Sequence, residues 1–126
     1  MTKYMILIVT SLWVAACAAH DERYYRLHPV ALQKAMEACP NKAPKDLSCE
    51  RLNKIAIHVN ELAYQLRSDP QGYGKGILAL QELIAKEQAS LKENTADPSL
   101  SLTLADNQRK LENRLAIVKW LESPES

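Results

Sequence analysis

Residues 24–66, YYRLHPVALQKAMEACPNKAPKDLSCERLNKIAIHVNELAYQL, constrain the fold most, because they place a cysteine at each facing end of two expected helices. His28-Pro29 opens the first: proline is accepted at the first helical position, where its missing N–H would be unpaired anyway. Leu32, Ala35, Met36 and Cys39 follow at three- and four-residue spacing, which makes one apolar stripe. Pro40 stops that helix, and residues 41–47, with Pro44, form a turn-rich loop. Ser48 is a good N-cap for the second helix, with Glu50 in its first turn facing the positive end of the helix dipole. Leu52, Ile55, Ala56, Val59, Leu62, Ala63 and Leu66 then share one side of that helix, the cleanest period in the chain. A bond between Cys39 and Cys49 would fix a helical hairpin at its turn. Whether these thiols meet an oxidising compartment is written in the first residues.

The chain starts with Lys3, an apolar run over residues 4–14, and then Val14-Ala15-Ala16-Cys17. The run is too short to cross a bilayer as a helix and has the proportions of a signal-peptide core. A branched residue three before a cysteine, with small residues between, resembles the lipobox of bacterial lipoproteins. That resemblance implies cleavage before Cys17, diacylglycerol on its sulfur and acylation of its amine. An ordinary secretory leader cut after Ala18 or Ala19 also fits the small-x-small pattern. Both readings export the protein. The expected layout is a leader over residues 1–16, a polar tether over 17–27, and one helical domain over 28–123.

Export settles the expected use of the other two cysteines. With Cys17 acylated or cut away, Cys39 and Cys49 form an even pair in a small exported chain, and such a pair is read as a disulfide. Closing a loop of about ten residues is worth roughly 3 kcal/mol by chain entropy. Zinc would need two further ligands in an ordered spacing, so the sequence favours the bridge and no metal. Removing residues 1–16 takes Lys3 from 16 basic side chains and leaves 15 against 15 acidic ones. No basic cluster stands out along the chain. A nucleic-acid partner, or headgroup binding through charge, is therefore not expected, and membrane contact would come through the lipid on Cys17.

Downstream, residues 68–76 hold all three glycines and read as a flexible break. A third helix is expected over residues 77–93, with Ile77, Leu80, Leu83, Ile84 and Leu91 inward. A fourth starts at Asp97 or within the following leucines and runs to Leu121, with Leu104, Leu111, Leu115, Val118 and Leu121 or Trp120 on one face. Leu100, Leu102 and Leu104 alternate like a strand, but no second strand exists to pair with it. The expected fold is all-α: four helices, a disulfide-stapled N-terminal hairpin followed by two longer helices.

Chemistry is sparse. Gly72, Gly74 and Gly76 with Lys75 superficially resemble a phosphate loop, yet the Walker spacing and the preceding strand are both missing. His20, His28 and His58 are not spaced to converge on a metal. No serine lies in a GxSxG turn, the acidic residues fall on solvated faces, and no cofactor motif is visible. The sequence is thus read as a non-enzyme without cofactor or small-molecule substrate. Aromatic residues carry the remaining information. Tyr64 and Trp120 are expected to fill gaps between helices. Tyr24, Tyr25 and Tyr73 are expected outside the helices and partly exposed, where tyrosines make good protein-contact anchors.

The lipobox Cys17, the stretch Tyr24-Tyr25-x-x-His28-Pro29, a short helix with Leu32 ending at Cys39, a loop with Pro44, and Cys49 opening another helix resemble the entry-exclusion lipoproteins of conjugative elements. The resemblance covers residues 1–63. It implies a lipid-anchored envelope protein facing the periplasm that blocks redundant transfer by binding a component of the donor's type IV secretion machinery. Tyr24, Tyr25, His28 and Tyr73 would form the recognition surface. A structural or assembly lipoprotein of an envelope complex is the rival expectation, with the last two helices as its interface.

Overall fold

The computed structural model describes residues 21–44 and 47–123, and within them the chain is all-helical. Five helices occur, not four: α1 (Glu22–Leu27), α2 (Pro29–Glu37), α3 (Cys49–Ser68), α4 (Pro70–Glu93) and α5 (Pro98–Glu122). Residues 1–20 hold the expected leader, Cys17 and His20, and all of these lie outside the described residues.

The extra helix falls in the expected tether. Asp21 caps it, accepting a hydrogen bond from the Tyr24 backbone N–H at 2.9 Å, and Glu22 and Arg26 suit the two ends of the dipole. Six residues do not make a stable helix alone, so α1 depends on what it docks against. Tyr25 is 5% exposed and belongs to the core. Arg23 pairs with Glu112 of α5 at 2.9 Å, and Glu22 pairs with Arg51 of α3 at 3.3 Å.

α2 and α3 form a bridged hairpin, though α1 precedes it and α2 stops short of Cys39. Pro29 is the first residue of α2, and the Ser48 side chain accepts from the Arg51 N–H at 3.2 Å to cap α3. α2 ends at Glu37 with Ala38 as its C-cap, so Cys39 sits just beyond the helix. Cys39 and Cys49 are bridged, with their Cα atoms 6.0 Å apart. The loop between them is pinned by Leu47, which is 5% exposed and joins the core. α3 is the central strut, packing against α1, α2, α4 and α5. Its stripe places Leu52, Ile55, Val59, Leu62 and Ala63 in the core.

The expected glycine break is instead the first two turns of α4. Asp69 is at once the C-cap of α3 and the N-cap of α4, accepting from the Gly72 N–H at 2.9 Å, and Pro70 takes the first helical position. Asp-Pro is a strong helix start, and here it outweighs the low helix propensity of three glycines. None of them has positive φ. Gly72 leaves room for its cap, because a Cβ there would collide with the Asp69 carboxylate. Asp97-Pro98 starts α5 in the same way, with Asp97 Oδ1 accepting from Ser99 and Leu100 N–H groups. Residues 100–104 are helical, and Leu102 is 73% exposed.

α4 and α5 form a long antiparallel pair whose two halves differ. Near the base, Tyr73 and Ile117 join the core, and Ile77, Val118, Trp120 and Leu121 pack against it. Towards the α4–α5 turn, Ile84 and Leu104 are buried without belonging to that cluster. Buried with them are Glu87 and Asn107, whose Nδ2–H donates to Glu87 Oε1 at 2.8 Å, leaving Oε2 without a partner. Leu83 and Leu115, expected inward, are 43% and 44% exposed. The unanticipated core residue of α5 is Ile117, at 0% exposure.

Candidate protein-contact surface

The described residues bring no three His, Cys, Asp or Glu side chains together as a metal site. None of the described helices is long and apolar enough to cross a membrane. The geometry that suggests recognition is an apolar groove on the stapled hairpin. It has a volume of about 480 Å³ and lies between α2, which contributes Pro29, Leu32, Gln33, Met36 and Glu37, and α3, which contributes Asn53, Ala56, Ile57, Val59 and Asn60. Trp120 from α5 completes the lining. The disulfide fixes the turn joining α2 and α3, so the groove walls are held at one end by a covalent bond.

Ile57 lies outside the inward stripe of α3 and is 52% exposed on the groove wall. Tyr64, seven residues further, emerges on the same side because seven residues make about two turns. It is 72% exposed, so it is not the gap filler expected from the sequence. Large apolar and aromatic side chains beside a concave, mostly apolar recess are the composition of a protein-contact centre. The signal for Ile57 and Tyr64 was present: both are apolar residues that the helical stripe leaves out.

The four expected recognition residues divide evenly. Tyr24 and His28 come together at the α1–α2 junction, their rings stacked with centroids 4.2 Å apart. His28 Nδ1 is 2.8 Å from the Tyr24 carbonyl oxygen. A carbonyl only accepts, so Nδ1 carries the hydrogen and His28 donates. His28 is exposed and directly precedes Pro29 of the groove.

Tyr25 and Tyr73 are corrections. Both are buried, because α1 and the start of α4 are helices docked on the core and not exposed loops. The Tyr73 hydroxyl donates to the Arg114 carbonyl oxygen at 2.9 Å, and the Arg114 guanidinium lies 4.9 Å from the ring centroid. Gly76 lies beside the same guanidinium, where an added Cβ would stand 3.3 Å from one of its nitrogens. Burial pushes the Tyr73 hydroxyl up to about 12, against the opposing pull of Arg114.

The folded chain also gathers basic side chains that are dispersed in sequence. Arg26 of α1 meets Arg51, Lys54 and His58 of α3 around a recess of about 300 Å³. Carboxylates meet them: Glu22 contacts both arginines, Glu50 lies 3.4 Å from Lys54, and Glu61 is 4.0 Å from His58. The cluster is thereby balanced and does not form a strongly basic patch.

No family model, curated protein or solved structure matches the chain.

Proposed function

We propose that the protein is an envelope lipoprotein that binds another protein, and that its activity is entry exclusion against redundant conjugative transfer. The observation that carries the binding reading is the apolar groove between α2 and α3, walled by Met36, Ile57 and Trp120 and flanked by the exposed Tyr64 and the Tyr24–His28 pair. Export and lipidation rest on Val14-Ala15-Ala16-Cys17, and exclusion rests on the resemblance carried by Tyr24, Tyr25, His28, Pro29, Cys39 and Cys49. In this reading the lipid on Cys17 holds the protein at the periplasmic face of a membrane, and a component of the donor's type IV secretion machinery seats an apolar segment in the groove. No catalytic residue, cofactor or small-molecule substrate is involved.

The test is acquisition of the cognate element by recipients that express the chain. Expression is expected to lower transfer frequency, and Ile57→Glu with Tyr64→Ala is expected to restore it while the protein stays folded and membrane-bound. Unchanged transfer with the wild-type chain removes exclusion. A structural or assembly role in an envelope complex is the second reading, and the length of the α4–α5 pair beyond the core favours it. Loss of envelope integrity on deletion, with transfer unaffected, selects that role.

A further inference from the structure

The tether expected over residues 17–27 loses most of its length to the body, because Glu22–Leu27 is helix and Asp21 is its cap. α1 packs on α2, α3 and α5, buries Tyr25, and pairs Glu22 with Arg51 and Arg23 with Glu112. Chain docked in this way does not lengthen a spacer. Only residues 18–20 separate Cys17 from the Asp21 cap. The four Cα-to-Cα steps from Cys17 to Asp21 cover at most about 14 Å, against about 40 Å for a free chain from Cys17 to His28.

A diacylglyceryl group on Cys17 sets that residue at the edge of the hydrocarbon, beneath a polar headgroup layer about 5–8 Å deep. The reach left beyond the headgroups is then less than about 10 Å, narrower than one helix with its side chains. No further layer of protein fits between the start of α1 and the membrane. The exposed charges beside that end carry both signs: Arg23 pairs with Glu112, Arg51 with Glu22 and Lys54 with Glu50. Balanced pairs exert little pull on an anionic surface, but they complement headgroups that bear one phosphate and one ammonium.

We infer that the end of the body formed by the starts of α1 and α3 rests on the bilayer that holds Cys17, its partner being a surface of zwitterionic phospholipid headgroups. This deepens the lipoprotein reading and rests on lipidation of Cys17. The lipid supplies the attachment, and the docked α1 converts a point of attachment into a fixed apposition. The apposition also limits what can use the groove between α2 and α3. Pro29, on its wall, lies eight residues beyond Asp21, about 12 Å at helical rise, so it stands within about 26 Å of Cys17. A partner of the groove therefore brings its apolar segment into the layer next to the membrane.

The experiment uses the full chain expressed in bacteria, purified in detergent and returned to phosphatidylethanolamine–phosphatidylcholine vesicles. A fluorescent amino acid replaces exposed Lys54, which lies on α3 beside α1, and an acceptor dye is carried on the lipid headgroups. Efficient energy transfer is expected. A Gly/Ser segment of twenty residues inserted between Ala19 and His20, with a mean reach of about 25 Å, is expected to lower transfer roughly threefold or more while helicity and melting stay unchanged. Weak transfer without the insertion, transfer indifferent to it, or transfer that requires anionic lipid in the vesicles each overturns the inference. Incorporation of labelled fatty acid separates the two readings: a labelled chain with weak transfer defeats the apposition alone, whereas a chain that takes up no label because Cys17 is not acylated defeats the lipoprotein reading and the apposition with it.

Discussion

The stapled body and the outer half of the α4–α5 pair are both helical, but they are held together differently. The body, built from α1, α2, α3 and the base of the pair, encloses an apolar cluster with Leu52 and Ile117 at 0% exposure, and it carries the disulfide. The outer half buries Ile84 and Leu104 around a Glu87–Asn107 hydrogen bond and leaves leucines facing water. The difference teaches that one chain can join a covalently braced apolar core to a helical extension that buries little apolar surface. The cross-linked body supports the groove between α2 and α3, while the extension gives up apolar burial and leaves Leu83 and Leu102 exposed.

Truncating the body should cost most. Leu52→Ala or Ile117→Ala is expected to destabilise by about 2–5 kcal/mol in chemical denaturation, against less than about 0.5 kcal/mol for Leu102→Ala in the outer half. Equal effects would erase the distinction. Next comes the bridge: replacing Cys39 and Cys49 by serine is expected to remove roughly 3 kcal/mol without loss of helicity at low temperature. A melting curve unchanged by reductant would show that the body does not rely on the bond.

The outer half gives the next, sharper contrast. Asn107→Leu alone leaves the Glu87 carboxylate buried without its donor and is expected to cost about 1–3 kcal/mol, whereas Glu87→Leu with Asn107→Leu should recover most of it. A double variant as unstable as the single one would mean that the polar pair contributes more than its own satisfaction. The smallest effect belongs to the joint between the regions. Tyr73→Phe should cost about 1 kcal/mol near neutral pH, the usual worth of one hydrogen bond. The Tyr73 hydroxyl is raised in the folded state, so its contribution is fully present below pH 10 and is lost as pH rises towards about 12. Stability against pH over that interval should therefore fall more steeply in the wild type than in Tyr73→Phe.

Most of the body was readable from local chemistry. The Pro29 start, the Ser48 cap, the stripe of α3 and the Cys39–Cys49 pairing each follow from residues within one element or its turn. The misreadings share a cause. α1 reads as tether because no six-residue segment reveals that Tyr25 has a core to enter. The start of α4 reads as a loop because three glycines suggest freedom, while Asp69-Pro70 starts a helix there and Arg114 lies against Gly76. For the candidate contact surface, Tyr24 and His28 were each named from the sequence, whereas their stacking depends on α1, and Trp120 reaches the groove from a distant helix.

By itself the sequence determined the helical character of the described residues, the points where α2 and α3 begin, and the two thiols that meet. Those outcomes depend on capping groups, proline and apolar period, all of which act within a few residues. Only the tertiary structure decided which sides of α5 are buried: Leu104 and Asn107 lie towards α4, while Ile117 enters the core shared with α1 and α3. A helix flanked on two sides for part of its length has no single apolar stripe. Burial there belongs to the neighbours, and no local period can encode them.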